Sequence, residues 1–203
     1  MTDHEWLSRC GIGARYWDAT RERLREPGPI VAYLDNLPDD VRDGRGLLLL
    51  GPVGTGKTAA LALIAREAQD RLTGWTPVWY CTTSRLISHL LRGTEMMRFQ
   101  DTTSGRGEPY EVDPKDATLL LLDEFGAAYE SDYAMAAFED YLGLRYDQRL
   151  ATCVAANLTP EQIKAKPHYA RMVDRWKETC RVVVIGGVSM RQIAKTMGGG
   201  TDG

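Results

Sequence analysis

From Gly51 to Thr58 the chain reads Gly-Pro-Val-Gly-Thr-Gly-Lys-Thr, three glycines leading into a lysine and a hydroxyl. Glycines at this spacing let the backbone of Gly51, Pro52, Val53, Gly54, Thr55 and Gly56 fold into a cradle whose N–H groups converge on phosphate oxygens. Lys57 then reaches the β and γ phosphates of a nucleotide such as ATP, and Thr58 offers its hydroxyl to Mg²⁺. A second group of residues complements the first. Leu119-Leu-Leu-Leu-Asp-Glu124 is an apolar run ending in two acids. Asp123 is placed to hold Mg²⁺ together with Thr58, and Glu124 to orient and deprotonate an attacking water. An acid directly after the magnesium aspartate favours hydrolysis of ATP over transfer to a small acceptor, which is the kinase alternative.

These residues need elements to position them. Leu47–Leu50, Val78–Cys81, Leu119–Leu122, Cys153–Ala156 and Val182–Ile185 are short continuous apolar runs, the pattern of strands buried on both faces. Helical segments alternate with them. Thr58–Leu72 is rich in Ala, Leu and Ile, and Ser131–Arg149 places Met135, Phe138 and Leu142 three and four apart. The alternation predicts an α/β fold with a five-stranded parallel sheet flanked by helices. Thr159-Pro-Glu-Gln162 combines a cap, a first-turn proline and a glutamine three residues on, so a short helix starts there and Asn157 lies at a strand's carboxyl end. We expect residues 1–45 to be a short leader with helices around Asp18 to Arg25 and Pro29 to Asn36, 46–197 to be the nucleotide-binding domain, and 198–203 to be a flexible tail. Gly93 to Pro114, polar and rich in Gly, Thr and Asp, reads as a long mobile loop.

Composition adds bounds. At 203 residues with 43% apolar content the chain can bury a substantial core, and its net charge of −3 gives no global attraction to nucleic acid or an anionic membrane. Cys10, Cys81, Cys153 and Cys180 are widely spaced, with no Cys-x-x-Cys pair, so reduced thiols are expected. No basic-then-apolar leader opens the chain and no apolar stretch approaches the roughly 18 residues of a membrane span. The expected location is the cytoplasm, without a membrane partner.

Taken in order, Gly51–Thr58, Leu121-Leu-Asp-Glu-Phe-Gly126, Arg145-Tyr146, Ala155-Ala-Asn-Leu-Thr-Pro160 and Arg171-Met-Val-Asp-Arg175 resemble the AAA+ ATPases of the DnaC/IstB type, the helicase loaders and transposition helper ATPases. The resemblance runs from about Gly46 to Arg191. It implies a P-loop NTPase AAA+ core that hydrolyses ATP with Mg²⁺ at the interfaces of a homo-oligomer. By the same resemblance Asn157 looks like the residue that positions the attacking water against the γ-phosphate. Arg175 looks like the arginine finger given to the neighbouring subunit, with Arg171 one turn earlier as the alternative, and Arg191 like a C-terminal arginine contacting the γ-phosphate.

The resemblance also implies DNA, single-stranded in preference to duplex, and a replicative helicase or a transposase as protein partner. The rival reading is an ATP-switched DNA-binding adaptor with little turnover. Residues 164–195 contain eight Lys or Arg against Asp174 and Glu178, and Arg92, Arg98 and Arg106 with Phe99 form a second candidate DNA surface. Members of this family usually carry a separate partner-gripping region before the first strand. Here about 45 residues precede it.

Overall fold

Every apolar run of the sequence becomes a strand of one sheet. In the computed structural model, which describes residues 2–72, 77–92, 97–100, 109–112, 116–126 and 131–187, these are β1 (Gly46–Leu50), β2 (Val78–Thr82), β5 (Leu119–Phe125), β6 (Ala151–Ala156) and β7 (Cys180–Val184). They lie in the order β2-β5-β6-β1-β7, and all four pairings are parallel. Because side chains alternate across a strand, each run feeds two cores. Leu47, Leu49, Leu119, Leu121, Cys153 and Ala155 point to one face, and Leu48, Leu120, Leu122, Val154 and Ala156 to the other.

Helices cover both faces. α1 (Asp3–Arg9), α2 (Pro27–Asp35), α3 (Leu37–Arg42) and α4 (Lys57–Arg71) pack on the first core, and α5 (Thr83–Arg92), α6 (Asp132–Asp147) and α8 (Pro167–Thr179) on the second. The short α7 (Pro160–Ala165) starts at Thr159, whose hydroxyl accepts from Gln162 N while Gln162 Oε1 accepts from Thr159 N. All four cysteines are free and buried. No helix among the described residues is long and apolar enough to cross a membrane.

Arg145 joins α6 to the amino ends of the strands. Only 2% exposed, it donates to Thr152 Oγ1 at 3.1 Å, Ala117 O at 2.7 Å and Ala151 O at 2.8 Å. α8 is held to α6 by Glu139, which accepts from Arg171 at 2.6 and 2.9 Å and lies 2.9 Å from His168 Nδ1. Arg171, then His168, draws the Glu139 carboxyl down to about 2.

Two expectations are corrected. Part of Gly93 to Pro114 is a two-stranded antiparallel hairpin, β3 (Met97–Gln100) with β4 (Pro109–Val112). Its register sets Met97 opposite Val112 and Phe99 opposite Tyr110, apolar cross-strand pairs that two four-residue strands separated by a polar stretch do not advertise in sequence. The helix expected around Asp18 to Arg25 is one 3₁₀ turn, Arg21–Arg23. Helix α1, which had no counterpart in the sequence reading, precedes it, and Arg21 itself pairs with Glu67 of α4 and Asp35.

Residues 2–17 are drawn onto the sheet edge. Trp6 Nε1 donates to Ala65 O of α4 at 2.6 Å, and Tyr80 N of β2 donates to Cys10 O at 2.7 Å. Gly11, at φ +93°, makes the approach possible, because a Cβ there would stand 2.7 Å from Tyr80 O. Gly11→Ala is therefore expected to lower stability by about 1–3 kcal/mol, from left-handed strain plus the clash. Urea unfolding reads this directly, and an unchanged midpoint would contradict the docking.

The Glu139 contact carries a pH signature. A carboxyl whose folded value is depressed from 4.5 to about 2 contributes stability above its unfolded value and loses it as pH falls toward the folded one. Glu139→Gln should cost about 1 kcal/mol at pH 7, limited by screening at the half-exposed Arg171. Compared by urea unfolding, the gap to the parent should narrow progressively below about pH 4.5, whereas a constant gap down to pH 3 would show that the ion pair contributes nothing.

Candidate nucleotide site

The carboxyl ends of β1, β5 and β6 open on one cleft of about 360 Å³, lined among others by Val53, Gly54, Lys57, Thr58, Asp123, Glu124 and Asn157. Ligands of open parallel sheets bind at this end. The Gly51–Gly56 turn joins β1 to α4, and Gly56 takes φ +96° as the helix begins. Thr55 is buried, with its hydroxyl donating to Pro52 O at 2.9 Å, which closes the turn. Lys57 is 5% exposed, and its Nζ donates to Gly51 O at 2.8 Å and Pro52 O at 2.7 Å. Burial pushes the Lys57 amine below its ordinary value against the opposing pull of Asp123. A phosphate would offset that burial with charge.

Asp123 is the centre of the polar network. It is 4% exposed, and three donors reach it: Thr58 Oγ1 at 2.7 Å and Tyr80 OH at 2.8 Å on Oδ2, and Glu124 N at 2.8 Å on Oδ1. Thr83 Oγ1 holds the Asp123 carbonyl at 3.1 Å. Burial, then the negative charge of Asp123, pushes the Tyr80 phenol above its ordinary range, so its hydroxyl is a donor at neutral pH. Thr58 and Asp123 together present hard oxygen donors beside the phosphate cradle, a set suited to Mg²⁺.

Glu124 lies at the rim of the same cleft. It is exposed, at φ +58°, where β5 carries an extra residue against β6 between Leu122 and Phe125. The left-handed conformation costs about 1–2 kcal/mol for a residue with a Cβ. Asn157 follows β6, half-buried, its backbone N–H on Phe125 O at 3.1 Å.

The structure brings together nine residues of the sequence reading in this way: Val53, Gly54, Thr55, Gly56, Lys57, Thr58, Asp123, Glu124 and Asn157, with Gly51 and Pro52 forming the start of the turn. Arg175 lies elsewhere. It lines a second cavity of about 490 Å³ with Gly44, Tyr146, Leu150, Thr152 and Trp176, at the amino end of β6. Thr152 and Asn157 stand five residues apart along that strand, roughly 16 Å, so the Arg175 guanidinium does not reach its own chain's cleft. It rests against Gly143 of α6, where a Cβ would come within 3.2 Å of its Nη1. Among the described residues no ion pair engages it. Arg171, the alternative in the sequence reading, is by contrast committed to Glu139.

Arg191, Arg106 and the tail lie outside the described residues, and of Arg98 and Phe99 only the backbone is described. Arg92 is exposed at the end of α5. The basic stretch of residues 164–195 is partly neutralised, since Arg181 pairs with the buried Asp40 at 3.0 Å as Arg171 does with Glu139.

Besides Ala59, which directly follows the cradle, three cleft residues escaped the sequence reading. Arg15 and Tyr16, from a 3₁₀ turn of the leader, and Tyr80 all line it. An aromatic in a buried strand reads as core, and nothing in the leader's sequence marks it as part of a site.

The fold is shared with the DnaC helicase loader (TM-score 0.60, 20% identity, covering 85% of this chain and 99% of that one) and with DnaI (TM-score 0.61, 20% identity, 88% and 93%). It is shared also with AMPPCP-bound DnaA from Aquifex aeolicus (TM-score 0.58, 21% identity, 91% and 56%). No curated protein sequence matches the chain. The profile of the IstB-like ATP binding proteins matches residues 29–197, from α2 through the cradle, Asp123, Asn157 and Arg175, and the chain is a member of that family, with an AAA+ P-loop fold.

Proposed function

We propose that the protein is a cytoplasmic AAA+ ATPase of DNA replication, a helicase loader-like protein that hydrolyses ATP at the interfaces of a homo-oligomer and binds DNA. The observation that carries the reading is the meeting of Lys57, Thr58, Asp123, Glu124 and Asn157 in one cleft, while Arg175 faces outward at the far end of β6.

In this reading the backbone of Gly51–Gly56 and Lys57 bind the β and γ phosphates, and Thr58 and Asp123 hold Mg²⁺. When bound, the metal neutralises charge on the β and γ oxygens. Glu124 takes the proton of the attacking water as its oxygen closes on the γ-phosphorus, and the bond from that phosphorus to the β–γ bridging oxygen breaks, leaving ADP and phosphate. Asn157 fixes the water by hydrogen bonding. Arg175 of the adjoining copy spreads its charge over the oxygens of the transferring group, and Arg191 is assigned to the γ-phosphate as well. Support for DNA comes from the fold shared with a replication initiator DnaA bound to AMPPCP and single-stranded DNA. The protein partner under this reading is the replicative helicase. Membership of the IstB-like family favours a second reading with a transposase in that place.

A shared site has a distinctive signature. Arg175→Ala should lower turnover about 10³-fold or more, the worth of an arginine finger, and Lys57→Ala should abolish nucleotide binding. Mixed in equal amounts, the two inactive chains should recover about a quarter of parental activity, because random head-to-tail pairing makes that fraction of interfaces whole. Turnover per parental chain should rise with protein concentration. A mixture no more active than its components, with turnover independent of concentration, would remove the shared site.

A further inference from the structure

The buried carboxylate of Asp123 accepts from three donors, and two of them have other duties. Glu124 N is fixed by the backbone, and Thr58 must also turn its oxygen toward the metal. The third, Tyr80 OH, lies 2.8 Å from Oδ2, and among the described residues its hydroxyl bonds to Asp123 alone. Its placement is overdetermined. β2 runs parallel to β5 with Tyr80 opposite Leu121 and Thr82 opposite Asp123, so the ring stands two residues before the metal carboxylate and leans along the strand to meet it. The backbone is gripped from outside as well: Tyr80 N donates to Cys10 O at 2.7 Å, and Gly11 packs so tightly on Tyr80 O that no Cβ fits. A phenylalanine would fill the same space in the core. The hydroxyl is the part that only the carboxylate uses.

We propose that Tyr80 is a positioning residue for the magnesium site: its hydroxyl fixes the rotamer of Asp123, so that the carboxylate meets the incoming metal already oriented. The leader residues Cys10 and Gly11 are the clamp that holds Tyr80 in register. The inference rests on the reading of Asp123 and Thr58 as the Mg²⁺ ligands. Outer hydrogen-bond partners of a ligand set its orientation, and their loss weakens metal affinity about 10–100-fold.

The test is equilibrium binding of a fluorescent ATP analogue to the full chain, with Glu124→Gln in every variant so that nothing is hydrolysed. Parent and Tyr80→Phe are titrated with the analogue in EDTA and then, at fixed analogue, with Mg²⁺. Tyr80→Phe should leave the metal-free affinity within twofold and raise the Mg²⁺ concentration for half-maximal enhancement about tenfold. Superimposable Mg²⁺ curves would overturn the proposal. So would a metal-free affinity weakened by the same factor as the Mg²⁺ response, since Tyr80 would then shape the cleft wall and not the carboxylate. Lys57→Ala separates the underlying reading: if it binds the analogue as well as the parent does, the cleft is not a triphosphate site and both conclusions fall.

Discussion

One buried carboxylate organises this structure. Taking an ionised group out of water costs several kcal/mol unless hydrogen bonds replace its hydration, and Asp123 is 4% exposed. Its donors come from three places: Thr58 at the start of α4, Tyr80 on β2 and the next peptide of β5 itself. Each contact constrains an element. Thr58 sets how the phosphate-binding turn leaves β1, Tyr80 sets β2 against β5, and the leader is fixed in turn because Cys10 and Gly11 clamp Tyr80. A requirement of electrostatics thus fixes the relative positions of four segments widely separated in sequence.

The opposite end of the sheet solves a comparable problem with the other sign. Arg145 is buried, and its guanidinium donates to two carbonyls and a hydroxyl and bonds the Tyr141 side chain as well. Desolvation lowers its pKa from the usual guanidinium value, yet a guanidinium remains charged even so, and five N–H donors suit it to carbonyls that parallel strands leave open at their amino ends. Asp40, 1% exposed, is matched there by Arg181. Arg175 lies at this end too, an exposed cation resting on Gly143. A cation left in water at the end of the sheet away from its own cleft is available to a neighbour, and that asymmetry underlies the shared-site reading.

Much of this was legible in the chain because the relevant patterns are local. The five strands are continuous apolar runs, the cradle is eight consecutive residues, and the α7 cap is a four-residue signal. What stayed hidden depends on residues far apart. Gly11 looks like any turn glycine until Tyr80 O, 69 positions on, is placed 2.7 Å from its missing Cβ. Arg171 and Arg175 sit one turn apart on the same helix, and that Arg171 is taken up by Glu139 of α6 is not written in their own segment. The β3–β4 hairpin is built from four-residue strands across a polar stretch, at the shortest length over which alternation carries a signal.

The pair Asp123-Glu124 shows how a local irregularity gives adjacent acids different surroundings. In a regular strand, neighbouring side chains point to opposite faces, and both faces of this sheet are covered by helices. Glu124 would then have to be buried as well. The extra residue in β5 against β6, with Glu124 at φ +58°, turns that side chain out into the mouth of the cleft, while Asp123 keeps its register with Thr82 of β2. The strain is small, about 1–2 kcal/mol, compared with the several kcal/mol that burying a second, unpartnered carboxylate would cost. Environment, not residue type, separates the two acids: one is held by three donors in the interior and the other stands exposed at the rim, and the proposed roles of metal ligand and base rest on that difference.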